Sequence, residues 1–141
     1  MTEEVINGVC VYCSDPRSKV GLWRRIKQHL VSPDRRIAPI GLLGGPISLA
    51  YPEYLPIEYA LLMVQQIPFT LRKFPEVKEI IVVGHDCGYY EQIPHQKKAT
   101  VARKKKDIAK AARLLKRHFP ELAVVAFFAD EKSDGFERIQ Y

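Results

Sequence analysis

The sequence predicts an α/β fold, a three-layer domain with a central, mostly parallel β-sheet flanked by helices. Short apolar segments alternate with segments whose apolar residues recur at helical spacing, an order typical of βαβ units joined by right-handed crossovers. One segment, Ile80–Val83, is apolar throughout, as in a strand covered on both faces. The 141 residues, 47% of them hydrophobic, are enough for a single core, so we expect one domain over residues 1–141.

The first part of the chain predicts two strands with a helix between them. Residues 5–12 are rich in β-branched residues and are stopped by the turn signal Asp15-Pro16. Ser18 is a candidate N-cap for the following helix, in which apolar residues recur at helical spacing until Pro33 ends it. A short strand is expected near residues 36–42.

The rest of the chain predicts two helices and two strands. Gly44-Gly45 indicates a plain turn, with a close approach of the backbone to the site as the alternative. A helix is expected to begin near Pro56 and to be interrupted at Pro68. After the apolar strand, a basic helix is expected over residues 98–118. Residues 122–128 predict the last clear strand.

The positive charge is concentrated in one helix. The net charge is +6, but residues 97–117 hold ten Lys and Arg against one acid, so the rest of the chain carries −3. Apolar residues recur at helical spacing within this run, which indicates the solvated face of a packed helix. No aromatic residue is interleaved to stack on bases, so a nucleic-acid partner is not favoured.

Composition also predicts the compartment. The chain has no run of eighteen apolar residues, and its acidic N-terminus lacks the basic region of a signal peptide. We therefore expect no membrane association and a cytoplasmic location. Three cysteines, an odd number, favour reduced thiols or metal ligation over a disulfide framework.

Two predicted strands end in residues that bind metals. Cys13 ends the first strand, and His85 and Cys87 follow the strand Ile80–Val83. Neighbouring parallel strands share one crevice at their ends, so these three side chains are expected to converge. Two thiolates and one imidazole suit Zn2+, and three protein ligands leave one position open, as in a catalytic zinc site.

At these positions the sequence resembles the β-class carbonic anhydrases and their β-carbonic-anhydrase-like relatives. The segment Cys13-Ser14-Asp15-Pro16-Arg17 matches the family motif Cys-x-Asp-x-Arg. The segment GHDCGYY matches the second motif, His-x-x-Cys-Gly, with one residue deleted, because the spacing here is His-x-Cys. The resemblance extends along most of the chain, to the ending DGFERI.

The resemblance implies an activity and a role for each residue. Cys13, His85 and Cys87 would hold zinc, Asp15 would orient a zinc-bound hydroxide, and Arg17 would orient Asp15. The reaction implied is the reversible hydration of carbon dioxide to bicarbonate, so the substrate is a small molecule. The resemblance also implies a homodimer or a higher homo-oligomer, with pockets near the subunit interface.

Other interpretations stay open at this point. The shortened spacing favours a catalytically inactive relative that serves as a binding protein, and a relative acting on carbonyl sulfide or carbon disulfide is a further alternative. A third hypothesis is a basic binding module that uses the helix 97–117, for which steep salt dependence of binding would be diagnostic.

The remaining cysteine and histidines are interpreted as structural or solvated. Cys10 and Cys13 form a Cys-x-x-Cys pair, but strand residues three apart lie about 10 Å from each other and point to opposite faces. Cys10 is therefore expected to be a buried core thiol rather than a redox partner. His29, His95 and His118 are expected to be surface residues.

Overall fold

A computed structural model describes residues 5–14, 21–32, 35–133 and 135–141. The described chain contains five strands: β1 (Gly8–Cys13), β2 (Ile37–Leu42), β3 (Glu79–His85), β4 (Ala123–Ala129) and β5 (Phe136–Ile139). Its α-helices are α1 (Leu22–His29), α2 (Ile47–Ala50), α3 (Pro56–Ala60), α4 (Ile67–Lys73) and α5 (Val101–His118). A π-helical segment (Leu61–Gln66) joins α3 to α4, and a short 3₁₀ helix (Gly88–Gln92) follows β3.

The five strands form one sheet in the order β2-β1-β3-β4-β5. The first four strands in this order run parallel, and β5 pairs antiparallel with β4 at the edge. The predicted fold class, a mostly parallel sheet flanked by helices, is confirmed. Because β1 and β3 are neighbours, with Val11 opposite Val82, their carboxyl ends lie side by side.

Both faces of the central strands are buried. Alternate residues of β1 and β3 belong to two hydrophobic clusters, so Val9 and Val82 pack in one cluster while Cys10 and Val83 pack in the other. This alternation follows from the two-residue period of a strand. Burial on both faces explains why the sequence of β3 is an apolar run rather than an alternating pattern.

Most of the predicted elements are confirmed, with boundaries shifted by a few residues. The strands expected at 36–42 and 122–128 correspond to β2 and β4, and the basic helix corresponds to α5. The proposed N-cap Ser18 and the stop at Pro33 lie outside the described residues. The prediction missed α2, which is only four residues long, and β5, an edge strand with two exposed central residues.

The prediction that Pro68 interrupts the helix is wrong, because helical structure continues to Lys73. The hydrogen-bond pattern changes instead: the π-helical segment ends just before α4, and Pro68 lies in the first turn of α4. A proline in an α-helix lacks the N–H for the bond to residue i−4 and clashes with that carbonyl. Because the π-helical segment ends just before α4, Pro68 lies in the first turn of a new α-helix, where a proline is tolerated.

None of the helices in the described ranges has the length and apolar character needed to cross a membrane.

Candidate metal centre

The structure brings Cys13, His85 and Cys87 together at the carboxyl edge of the sheet. One ligand atom from each residue lies within 4.8 Å of the others. The two sulfur atoms are 3.6 Å apart, although 74 positions separate the residues in sequence. The convergence predicted from the sequence is therefore observed for all three side chains.

Cys13 is held in place by the turn that follows β2. The backbone N–H of Gly44 donates a hydrogen bond to the Cys13 sulfur at 3.3 Å. Gly44 and Gly45 both have positive φ, and a Cβ on Gly45 would lie 2.6 Å from the backbone nitrogen of Cys13. The turn expected at Gly44-Gly45 is observed together with its alternative, the close approach of the backbone to the site, because only glycine allows the backbone to approach Cys13 so closely.

Cys87 reaches the same point because the chain bends directly after β3. His85 is the last residue of the strand, Asp86 lies in a bend, and Cys87 caps the short 3₁₀ helix. The backbone N–H of Tyr89 donates to the Cys87 sulfur at 3.4 Å. This bend compensates for the shortened His-x-Cys spacing, since the two ligand residues are not both on extended backbone.

His85 is oriented by a carboxylate that the sequence did not indicate. Its Nδ1 atom lies 2.9 Å from Oε1 of Glu131, in the turn after β4. Glu131 in turn lies 3.8 Å from the buried guanidinium of Arg25, which also donates to the carbonyl of Asp130 at 2.8 Å. Burial alone lowers the pKa of His85, but the Cys13 sulfur and the Glu131 carboxylate outweigh it and raise that pKa.

Three observations on this structure fit a zinc ion at the centre. Two thiolates bound to zinc at about 2.3 Å in tetrahedral geometry lie about 3.8 Å apart, close to the 3.6 Å between Cys13 and Cys87. The Nε2 atom of His85 is buried and makes no hydrogen bond of normal geometry to the described residues. With Nδ1 donating to Glu131, Nε2 offers its lone pair to an ion, as zinc-bound imidazoles commonly do.

A buried polar network from α5 lies beside the centre. Asp107 accepts hydrogen bonds from the hydroxyls of Tyr51 and Tyr90, each at 2.8 Å. Lys104 lies over the Tyr90 ring and forms an ion pair with Asp86, the residue between His85 and Cys87. The interpretation of all α5 charges as solvated is therefore wrong for Lys104 and Asp107, which are both buried.

A small cavity separates this network from the metal ligands. Its volume is about 10 Å³, enough for roughly one water molecule. Apolar side chains supply most of its wall, and its lining residues are Gly44, Pro46, Ile47, Gly84, His85, Cys87, Tyr90, Lys104, Asp107 and Ile108.

The other candidate residues are placed as follows. Asp15 and Arg17 lie outside the described residues, so their predicted roles are not tested by the geometry. His29, His95 and His118 are exposed, as expected.

Cys10 and Cys13 both belong to the same hydrophobic cluster. Cys13 is the last residue of β1 and lies at the carboxyl edge of the sheet, beside His85 and Cys87. Cys10 is nevertheless a fully buried free thiol outside the metal-binding group. Burial, with a smaller contribution from the Glu79 charge, raises its pKa, so it stays protonated at neutral pH.

Several solved structures are similar to this chain over almost its whole length. A carbonic anhydrase from Glaciozyma antarctica is 16% identical, with a TM-score of 0.56 covering 94% of this chain and 81% of that one. The tetrameric β-carbonic anhydrases from the filamentous ascomycete Sordaria macrospora are 12% identical, with a TM-score of 0.60 covering 99% of this chain and 83% of that one. A β-carbonic anhydrase isoform from the protozoan Trichomonas vaginalis is 12% identical, with a TM-score of 0.58 covering 99% of this chain and 86% of that one. Neither a protein-family model nor a curated protein sequence matches the chain.

The fold and the site together define an α/β protein with a cysteine–histidine–cysteine group at the carboxyl edge of its parallel sheet. This fold is that of the β-carbonic anhydrases. The resemblance inferred from two short motifs is thus confirmed for the fold.

Proposed function

We propose that this protein is a zinc-dependent lyase that hydrates carbon dioxide reversibly to bicarbonate. The observation that carries the proposal is the convergence of Cys13, His85 and Cys87, with sulfurs 3.6 Å apart, at the ends of two adjacent strands. When bound there, zinc supplies a Lewis acid that lowers the pKa of water to about 7.

The residues of the chain prepare the ligands for the metal. The N–H groups of Gly44 and Tyr89 donate to the sulfurs of Cys13 and Cys87. Such donation favours the thiolate form, which is the form that binds zinc. Glu131 accepts from Nδ1 of His85 and so fixes the ring orientation.

Asp15 and Arg17 are proposed as the residues that act on the reacting water. Both follow Cys13 closely in sequence, two and four positions after it. The Asp15 carboxylate would accept a hydrogen bond from the water and hold it toward the substrate carbon. Arg17 would hold Asp15 by a bidentate pair and prevent the carboxylate from turning onto the metal.

The mostly apolar wall of the cavity supports a small, uncharged substrate. The cavity beside His85 and Cys87 has room for about one water molecule. Carbonyl sulfide and carbon disulfide have the same linear shape as carbon dioxide, so all three belong in the same assay.

Assembly and location are part of the proposal. We propose a homodimer or a higher homo-oligomer, in line with the tetrameric description of the Sordaria macrospora proteins. The cytoplasmic location and the single domain over residues 1–141 stay predictions from the sequence.

The test compares zinc content and carbon dioxide hydration on the same purified sample. Wild type should carry about one zinc per chain and hydrate carbon dioxide in a stopped-flow indicator assay. Arg17→Ala and Asp15→Asn should retain zinc and lose most of the hydration rate, since neither residue is proposed as a ligand. Lys19→Ala is a matched control in the same segment and should hydrate at the wild-type rate.

Two outcomes contradict the proposal. Zinc-loaded wild type without hydration over a broad pH range would favour the alternative of an inactive binding protein. Wild-type rates in both variants would show that Asp15 and Arg17 do not act in the reaction.

A further inference from the structure

One side of α5 carries a row of exposed cations. Basic residues recur there at alternating steps of three and four positions, which keeps them on one side of a helix. Its length is about 21 Å at the usual rise of an α-helix. Lys110 also donates to the carbonyl of Ala50 at 2.9 Å and keeps its charge. The one acid of residues 97–117, Asp107, is buried. We call this row the basic stripe: Arg103, Lys106, Lys110, Arg113 and Arg117.

The charges of the basic stripe do not stabilise the helix that carries them. Cations near the beginning of a helix oppose its dipole, yet Arg103 is the third residue of α5 and the first turn contains no acid. Like charges four positions apart also repel, as in Lys106 with Lys110 and Arg113 with Arg117. Within the described ranges, none of the five residues forms an ion pair with a carboxylate. The stripe is therefore suited to an anionic partner.

The stripe ends at a cleft that contains an aromatic ring. The cleft has a volume of about 450 Å³ and is lined by Arg113, Lys116, Arg117 and Tyr141. Tyr141 follows β5 and is 44% exposed, and its hydroxyl donates to the carbonyl of Val124 near the start of β4. The basic run itself has no aromatic residue to stack on bases, but the fold supplies one from outside the run.

The lining of the cleft indicates the class of ligand. Pockets for small molecules are mostly apolar, whereas three of the four lining residues here are cationic. A charged groove that tracks a phosphate backbone, beside an aromatic ring on which a base stacks, is typical of sites for single-stranded nucleic acid. A row of cations about 5–6 Å apart along about 21 Å is longer than the phosphates of one nucleotide require. A duplex keeps its bases stacked inside, so they do not reach Tyr141.

We propose that α5 binds single-stranded nucleic acid, with phosphates on the basic stripe and one base stacked on Tyr141. The cleft lies at the amino edge of the sheet, because Tyr141 contacts the beginning of β4. The metal centre lies at the carboxyl edge, at the ends of β1 and β3. Strand binding is therefore a second function, which depends on neither zinc nor hydration.

Fluorescence anisotropy of a labelled single-stranded RNA of mixed sequence, about 12 nucleotides long, measures the binding. The logarithm of the association constant should fall with the logarithm of the salt concentration with a slope of about −2 to −3.5, because each neutralised phosphate contributes about −0.7. The single strand should bind more tightly than the duplex of the same sequence. A flat salt dependence, equal binding of the duplex, or displacement of the strand by equimolar ATP would overturn the proposal.

A pair of double variants tests the stripe. Arg113→Gln with Arg117→Gln should raise the Kd at least about tenfold and make the salt slope shallower by about 1.4, because two phosphate contacts are lost. Arg24→Gln with Lys27→Gln is the matched control, since it removes the same charge from exposed positions of α1, which packs on the other face of the sheet. The control should bind like wild type. Equal losses in both double variants would mean that net charge alone drives binding, and the site would be wrong.

Two substitutions of Tyr141 test the stacking contact. Tyr141→Leu removes the ring but keeps an apolar side chain, and it should weaken binding of the single strand at least about fivefold. Tyr141→Phe keeps the ring and should bind like wild type. An unchanged Kd in Tyr141→Leu would exclude Tyr141 from the site. Far-ultraviolet circular dichroism, zinc content and hydration should match wild type in all of these variants, so this proposal and the proposed lyase activity can fail separately.

Discussion

The Nδ1 atom of His85 lies 2.9 Å from Oε1 of Glu131. The contact joins the end of β3 to the turn after β4 and fixes which imidazole nitrogen faces the two sulfurs. The Glu131 side chain is itself 42% exposed, but the nearby guanidinium of Arg25 is buried and limits its freedom. The geometry thus extends the candidate metal centre beyond its three ligands.

Removal of this carboxylate should weaken zinc binding. In Glu131→Ala, Nδ1 loses its acceptor and the ring is free to turn, so we expect the zinc Kd to rise about 10- to 100-fold. Glu131→Gln should lose less zinc affinity than Glu131→Ala, because its amide oxygen still accepts a hydrogen bond from Nδ1. Competition with a chelating dye measures the affinity. Glu137→Ala is the control, since Glu137 pairs with Lys105 instead; equal affinities in all variants would exclude this role for Glu131.

Two cysteine substitutions separate the ligand from the core thiol. Cys13→Ser should reduce the zinc content from about one per chain to near zero, because a hydroxyl is a poor substitute for a thiolate. Cys10→Ser should keep its zinc but unfold more easily, because a hydroxyl replaces a fully buried thiol. Metal analysis and urea unfolding give the two readouts. Full zinc occupancy in Cys13→Ser would remove Cys13 from the ligand set.

The fold and the convergence of the three candidate ligands could be predicted because their signals are local. An apolar run identifies β3, and metal-binding residues at the ends of two strands converge once β1 and β3 are neighbours. Glu131 could not be predicted in this way, because it lies in an ordinary acidic turn and its contact with His85 depends on the sheet order.

The polar network of α5 was also beyond sequence reasoning. Lys104 and Asp107 belong to a charged run that is otherwise mostly exposed, and nothing in the run distinguishes them. Asp107 can be buried because the hydroxyls of Tyr51 and Tyr90 donate hydrogen bonds to its carboxylate. Both tyrosines lie outside α5, so the sequence of the helix does not reveal these partners. The bend at Asp86 likewise depends on tertiary contacts, so the effect of the shortened spacing could be judged only from the structure.

Lys104 should have a smaller effect on the metal than Glu131. Its ion pair with Asp86 restrains the bend between two ligands, but the Asp86 side chain is 51% exposed. Because ion pairs with exposed groups contribute up to about 1 kcal/mol, Lys104→Met should raise the zinc Kd by no more than about fivefold. Lys105→Met, whose partner Glu137 is far from the ligands in sequence, is the matched control. A loss of zinc affinity as large as that in Glu131→Ala would mean that Lys104 contacts the site more directly.

Tyr51 should make the protein sensitive to alkali. Burial, followed by the hydrogen bond to Asp107, raises the pKa of Tyr51 to about 12 from an ordinary value of 10.0. Between these values the folded state keeps the proton and the unfolded state has lost it. The stabilisation is therefore complete below pH 10, and the free energy of unfolding falls as the pH rises from about 10 toward 12.

Urea unfolding at a series of pH values, followed by the fluorescence of Trp23, measures this dependence. Tyr51→Phe should lower stability at neutral pH, because a hydrogen bond to Asp107 is lost. It should also make the decline above pH 10 shallower, since one proton-linked group is gone. Tyr54→Phe is the control, because Tyr54 is 47% exposed, and its decline should match wild type. If Tyr51→Phe and wild type lose stability equally between pH 10 and 12, the Tyr51 hydroxyl does not hold its proton as inferred.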